Sequence, residues 1–318
     1  MSEFHHVPIM AAEVIEVMRP QRGGVFVDGT LGGGGHAELI LQRLPASGRY
    51  YGIDRDAEAI AAATKRLAAY PNFTALRGNF FDMRALLNAV GVESADGILL
   101  DLGVSSYQID APERGFSYRE DAPLDMRMDG AAPLSAADVV NTYSFEALCH
   151  VLRDYGEERF AARVADAILK ARGEKPITRT TQLADIVSAA IPAKARRAEK
   201  QHPARRTFQG LRIEVNGELD GLEQALQQAH DLLNPEGILA VITFHSLEDR
   251  IVKHTFKRFE DPCICDRKAP ICTCGRKPTA KILTRKPISP GEAELEDNSR
   301  AHSAKLRVME KLPRPADA

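Results

Sequence analysis

This sequence predicts a doubly wound α/β fold with a parallel central sheet, interrupted by a helical insert. Three observations carry the prediction. Short β-branched apolar runs alternate with helix-length segments over the first hundred or so residues. A glycine-rich turn, Asp28-Gly-Thr-Leu-Gly-Gly-Gly-Gly-His36, leaves the first of those runs. From Asp110 to about Arg206 the alternation stops, and only helices can be read. A chain of 318 residues with 44% hydrophobic content can bury a real core and is long enough for two domains. The expected partition is 1–109 with 207–318 for the sheet domain and 110–206 for the insert.

Taken in order, Met10, Val14, Ile15 and Met18 keep helical spacing and should pack beside the first strand. Val25 to Asp28 reads as a buried strand, and the glycines let the backbone turn into a helix beginning near Ala37, closed by Pro45 and Gly48. Tyr50–Asp54, Phe73–Arg77 and Gly97–Asp101 are the next strands, separated by helices over Ala57–Ala69 and Met83–Val90. In the insert, Ser135 and Ser144 are expected N-caps. Glu157–Arg172 places Phe160, Val164, Ile168 and Ala171 on one face, and Thr180 opens a helix that Pro192 ends. Thr207 to Leu233 reads as one long helix and Gly237–Thr243 as the fifth strand. A helix toward Phe259 follows, and short strands at Lys281–Thr284 and Ala304–Met309 close the chain.

Read literally, Gly32-x-Gly34-x-x-Ala37 satisfies the dinucleotide fingerprint, so the loop alone leaves NAD, FAD and S-adenosylmethionine open. Charge separates them. Asp28, Asp54 and Asp101 each end a strand, and three carboxylates would repel a pyrophosphate but attract a cationic sulfonium. Asp54 lies about 20 residues past the glycines, where an acid can hydrogen-bond ribose hydroxyls. The alternative is that the three aspartates merely cap strand ends. Phe80 or Phe81 follows the third strand, where an aromatic could line an adenine pocket, although both rings could equally be core.

No stretch approaches 18 uninterrupted apolar residues, and the N-terminus lacks a basic region followed by an apolar one, so a soluble cytoplasmic protein is expected. The net charge of -2 is uninformative, but Ala193–Arg206 carries Lys194, Arg196, Arg197, Lys200, Arg205 and Arg206 against one Glu. So local a surplus is a candidate phosphate-binding surface; solubility is the alternative. Asp101-Leu-Gly-Val-Ser-Ser-Tyr-Gln108 should face a transferable methyl group, with Asp101, Ser105, Ser106 and Gln108 able to accept protons from a base's amino group. The double proline common in that loop of amine methyltransferases is missing. His245 beside Ser246 resembles a hydrolase pair, but adjacent residues diverge and no G-x-S-x-G turn exists, so the pair is expected in a substrate-side wall. Cys263, Cys265, Cys272 and Cys274 are spaced C-x-C-x6-C-x-C. Four thiolates could close a zinc site, although C-x2-C is the commoner half-site; a reduced thiol loop or a regulatory disulfide are the alternatives.

Eight ordered motifs span almost the whole chain: Asp28–His36, Ile53–Asp56, Leu100–Ser106, Arg114–Ser117, Pro123–Met128, Tyr155–Ala161, Arg206–Gln209 and Phe244–Arg250. Together they closely resemble the bacterial ribosomal small-subunit RNA cytidine N4-methyltransferases. The resemblance implies a class I (Rossmann-like) methyltransferase sheet with an inserted helical domain. It also implies transfer of a methyl group from S-adenosyl-L-methionine to N4 of a cytidine in the decoding centre, on the assembled small ribosomal subunit, with no DNA or membrane partner. Carried over by position, it assigns Gly34, Gly35, His36, Asp54, Phe80, Asp101 and Gln108 to the cofactor. Asp101 and Ser105 are the expected catalytic groups; Arg114, Arg127, Lys194, Arg196, Arg197, Lys200, Arg205 and Arg206 are the expected RNA contacts. It assigns no metal. A non-catalytic assembly factor, a DNA amino-methyltransferase and a dinucleotide oxidoreductase are the competing readings.

Overall fold

The computed structural model describes residues 8–105, 108, 111–198, 201–266 and 271–313. They fall into two compact units, Met1–Gly103 with Gly221–Ala318, and Val104–Asp220.

The first unit is built on a seven-stranded sheet. Its strands are β1 (Val25–Asp28), β2 (Arg49–Asp54), β3 (Phe73–Arg77), β4 (Ala95–Asp101), β5 (Leu233–Thr243), β6 (Ala280–Ile282) and β7 (Lys305–Lys311). Their order is β3-β2-β1-β4-β5-β7-β6. β1 to β5 pair in parallel, whereas β7 runs antiparallel to both β5 and β6. This is the class I methyltransferase sheet that the resemblance implies. Both faces are covered, which is why the strands read as unbroken apolar runs. On one face Ile98, Leu100, Leu239 and Val241 pack with α4 (Met83–Asn88), α11 (Leu222–Leu232) and α12 (Ser246–Glu260). On the other, Phe26, Leu99, Ala240 and Ile242 pack with α1 (Ala11–Met18), α2 (Gly35–Leu41) and α3 (Ala57–Arg66).

The second unit has eight described helical segments, the first a 3-10 turn at Pro112–Arg114, and no described strand. Ser135 caps α5 (Ala136–Thr142): its Oγ accepts the Asp138 N–H at 3.2 Å while the Asp138 carboxylate accepts the Ser135 N–H at 2.8 Å. Ser144 caps α6 (Phe145–His150), its Oγ accepting the Ala147 N–H at 3.2 Å, as the sequence predicts. A π-helical turn, Val151–Tyr155, leads to α7 (Ala161–Glu174), α8 (Thr180–Ala190), α9 (Ala193–Ala198) and α10 (Arg205–Asn216).

The single long helix expected over Thr207–Leu233 is two helices. Gly217 at φ 56° closes α10, and α11 starts again at Leu222 in the other unit. Asn216-Gly217 is a C-cap signal that the helical periodicity masked. Phe208, Leu211 and Val215 of α10 are buried with Leu148, Val164, Ile168 and Leu183, so the insert's core extends past residue 206.

Candidate active site

The glycine turn is held from two sides. Gly32 and Gly34 adopt φ 51° and 78°, conformations open to glycine at little cost, and α2 starts one residue later. Asp54, at the tip of β2, accepts the Gly32 N–H at 2.7 Å through Oδ2 and the Asp56 N–H at 2.9 Å through Oδ1. Burial raises the Asp54 pKa, and those two amides oppose the rise. Thr30 ties β1 to β4: its hydroxyl accepts the Asp101 N–H at 2.6 Å, and its N–H donates to Asp28 Oδ1 at 3.0 Å. Nothing in the sequence pattern singled out Thr30.

Asp28 differs from the electrostatic role read for it. It is buried, bonded to Thr30 and to the Tyr50 hydroxyl at 3.2 Å, so it braces the turn from below. Burial lifts its pKa to about 6, against the opposing bonds and the nearby His36, and the Tyr50 hydroxyl is pushed well above its usual range. Between about pH 4 and pH 6 the folded chain therefore holds a proton that the unfolded chain has released. Asp28's contribution to stability falls as pH rises through that window and is flat above it. Asp28→Asn should gain stability relative to wild type by roughly 2 kcal/mol more at pH 7.5 than at pH 4.5. Thermal melts at the two values check this, and an identical difference at both would contradict it.

His36, in the first turn of α2, and Asp101, at the end of β4, come together. His36 is 6% exposed, and its Nε2 lies 3.6 Å from Asp101 Oδ2. His36 Nε2 and Asp101 Oδ1 are buried atoms without a hydrogen-bond partner among the described residues. Buried polar atoms are mostly paired, so two such atoms side by side call for an outside partner such as a water or a ligand. A Cβ on Gly33 would meet nothing within 4 Å, so the turn has open space at that residue. Phe80 and Phe81, an edge-to-face pair at 4.7 Å, separate by role. A Cβ on Gly29 would stand 3.0 Å from the Phe80 Cβ, with Leu100 Cδ2 nearer still, and the Phe81 ring packs against Gly221 at the start of α11. Only Phe80 is placed by the turn.

S-adenosylmethionine fits this set: an acid at β2 for the ribose, an aromatic after β3, and a cation- and donor-hungry carboxylate with a free imidazole nitrogen at the methionine end. The Asp54 carboxylate on the Gly32 amide puts negative charge beside the turn, which disfavours a pyrophosphate there.

The remaining candidates lie in the insert. Ser105 and Gln108 bond each other: the Ser105 N–H donates to Gln108 Oε1 at 3.1 Å and the Gln108 N–H to Ser105 Oγ at 3.2 Å, with Gln108 4% exposed. Ser106 and Lys200 lie outside the described residues. The guanidinium of Arg114 donates to the carbonyls of Arg127 and Met128. Arg127 forms a fork on Asp125 at 2.9 and 2.7 Å and also donates to the Ala132 carbonyl at 2.8 Å. These two arginines therefore brace the insert's own loops. Lys194, Arg196 and Arg197 are exposed on α9; Arg205 and Arg206 are half-buried at the start of α10, where Arg205 donates to Gln201.

His245 stands at the carboxyl end of β5. It caps α12, with Nδ1 accepting the Glu248 N–H at 3.4 Å and Glu248 Oε2 accepting from the Phe244 and His245 amides. The four clustered cysteines, spread over twelve residues, are brought within 4.8 Å of one another. No described helix is long and apolar enough to cross a membrane.

The MraW methylase family model matches residues 3–312. A protein of Carboxydothermus hydrogenoformans called ribosomal RNA small subunit methyltransferase H is 52% identical over 311 residues, covering 98% of this chain and 99% of the relative. Ribosomal RNA small subunit methyltransferase H 2 of Agathobacter rectalis is 53% identical over 311 residues, covering 97% and 99%. The methyltransferase H of Geobacter sp. strain M21 is 52% identical over 313 residues, covering 98% and 100%. With the class I sheet, the acid-lined glycine turn and a match of this length in hand, the chain belongs to the MraW methylase family.

Proposed function

We propose that this methyltransferase transfers a methyl group from S-adenosylmethionine to the N4 amino nitrogen of a cytidine in small-subunit ribosomal RNA, acting on the assembled subunit in the cytoplasm. The observation that carries the reading is the Asp54 carboxylate bonded to the Gly32 amide, which makes the turn hostile to phosphate and suited to a cationic cofactor. When bound, the cofactor supplies an electrophilic methyl on sulfonium sulfur.

Asp54 would orient the ribose, Phe80 would lie along the adenine, and His36 Nε2 with Asp101 Oδ1 would meet the methionine end. A cytosine amino nitrogen gives its lone pair to the ring, so it is a weak nucleophile. An acceptor that draws its protons out of the ring plane restores nucleophilicity, and in-line placement supplies most of the rate. Asp101 and Ser105 are the proposed acceptors. Lys194, Arg196 and Arg197, exposed on α9, are the proposed phosphate contacts.

Mass spectrometry of nucleosides from small-subunit RNA tests the reading. N4-methylated cytidine should vanish when the gene is deleted and return with wild type but not with Asp54→Ala. An unchanged profile would overturn the reaction and favour an assembly factor. Reversal of charge at Arg196 and Arg197 together should weaken subunit binding by about tenfold or more at moderate salt, because phosphate contacts release counterions. Affinity for S-adenosylhomocysteine, read by calorimetry, should stay unchanged; equal loss of both would show that the two functions are not separately housed.

A further inference from the structure

We infer that Cys263, Cys265, Cys272 and Cys274 form a structural zinc site. Their Sγ atoms lie 3.6 Å (Cys263–Cys272), 3.8 Å (Cys265–Cys272), 3.5 Å (Cys272–Cys274) and 3.8 Å (Cys263–Cys274) apart. Thiolates at a zinc–sulfur distance of about 2.3 Å and tetrahedral angles stand about 3.8 Å from one another. Cys272 faces three sulfurs at nearly equal range, a grouping that pairwise disulfide bonding would not favour.

A backbone amide contributes to the surroundings that thiolates need. The Thr273 N–H points at Cys265 Sγ at 3.4 Å. Gly275, at φ 65°, makes the turn after Cys274 that a side chain would strain. Arg276 and Lys277 follow directly and offset the two negative charges that zinc with four thiolates retains.

Burial does not explain why four thiols gather here. The segment leaves α12 and returns to β6, closed at its base by the Thr279 N–H on the Phe259 carbonyl at 2.9 Å. Beyond that base its described residues are mostly exposed: the apolar side chains Ile264 and Ile271 are 67% and 74% accessible, and Cys263 and Cys272 are exposed. A segment with no core of its own takes its shape from a metal or not at all, since metal binding is then its folding free energy. On binding, each thiol gives its proton to solvent and its sulfur to the ion, with no change of oxidation state. Cys149, in the insert, stands apart from the set.

Elemental analysis of untagged protein, purified without added metal or chelator, should find about one zinc per chain. A native thiol titration should leave the four clustered cysteines protected until a chelator and denaturant are added. Cys149→Ser should keep the zinc, whereas Cys272→Ser with Cys274→Ser should lose it. Zinc below about a tenth of an equivalent in wild type, with the clustered thiols either freely reactive or paired as disulfides in non-reducing peptide maps, would overturn the site. Iron in zinc's place would overturn the choice of metal. The wild-type measurement decides even if the double variant fails to fold.

Discussion

Asp54→Ala should lower affinity for S-adenosylhomocysteine about a hundredfold while the sheet stays folded. The carboxylate holds two backbone amides, Gly32 at 2.7 Å and Asp56 at 2.9 Å, and its removal frees the glycine turn at one end. Hydrogen bonds to a charged group contribute about 1.5–3 kcal/mol each, and part of that is recovered by water, so about 3 kcal/mol of lost positioning is expected. Asp54→Asn should be nearly as damaging. It offers one acceptor where two are used, and its amide nitrogen would face an N–H. Calorimetric titration, with circular dichroism to confirm folding, checks both variants. Near wild-type affinity in Asp54→Ala would mean that the glycine turn holds its shape unaided.

Gly210→Ala should destabilise the protein by about 3 kcal/mol. A Cβ there would lie 2.7 Å from the Val151 carbonyl oxygen and 3.0 Å from the Gly156 nitrogen. Backbone cannot swing aside as a side chain does. Gly156 is equally confined, since its own Cβ would come within 2.6 Å of the Arg206 and Leu152 carbonyls. Two of the sequence motifs, Tyr155–Ala161 and Arg206–Gln209, thus meet where α10 crosses the π-helical turn, and the Gln209 amide donates to the Tyr155 carbonyl at 3.0 Å. Gly173→Ala, in α7 with nothing within 4 Å of its Cβ, is the control and should gain up to about 1 kcal/mol. Urea melts of the two variants should move in opposite directions. Equal shifts would mean that the crossing is looser than its geometry.

The parallel strands were legible because both sheet faces are buried, which writes each strand as an unbroken apolar run between turn residues. The serine caps were legible for a local reason: Ser135 and Ser144 bond amides three residues away. The break at Gly217 was written in Asn216-Gly217, yet continuous helical periodicity on both sides hid it.

Within the site, the sequence by itself determined which residue types stand at the strand ends, three aspartates around a glycine turn. Covalent order decides that, since a strand must end where its apolar run ends. Only the tertiary structure decided what each group does there. Asp28 braces, Asp54 holds the loop, and Phe80 rather than Phe81 lies by the turn. His36 and Asp101, 65 positions apart, bring two unpartnered atoms to one place. Arg114 and Arg127, basic on paper, hold loops of their own unit. Hydrogen bonds and burial act through space over a few ångströms, and residues remote in sequence acquire them only when strands pair and helices pack.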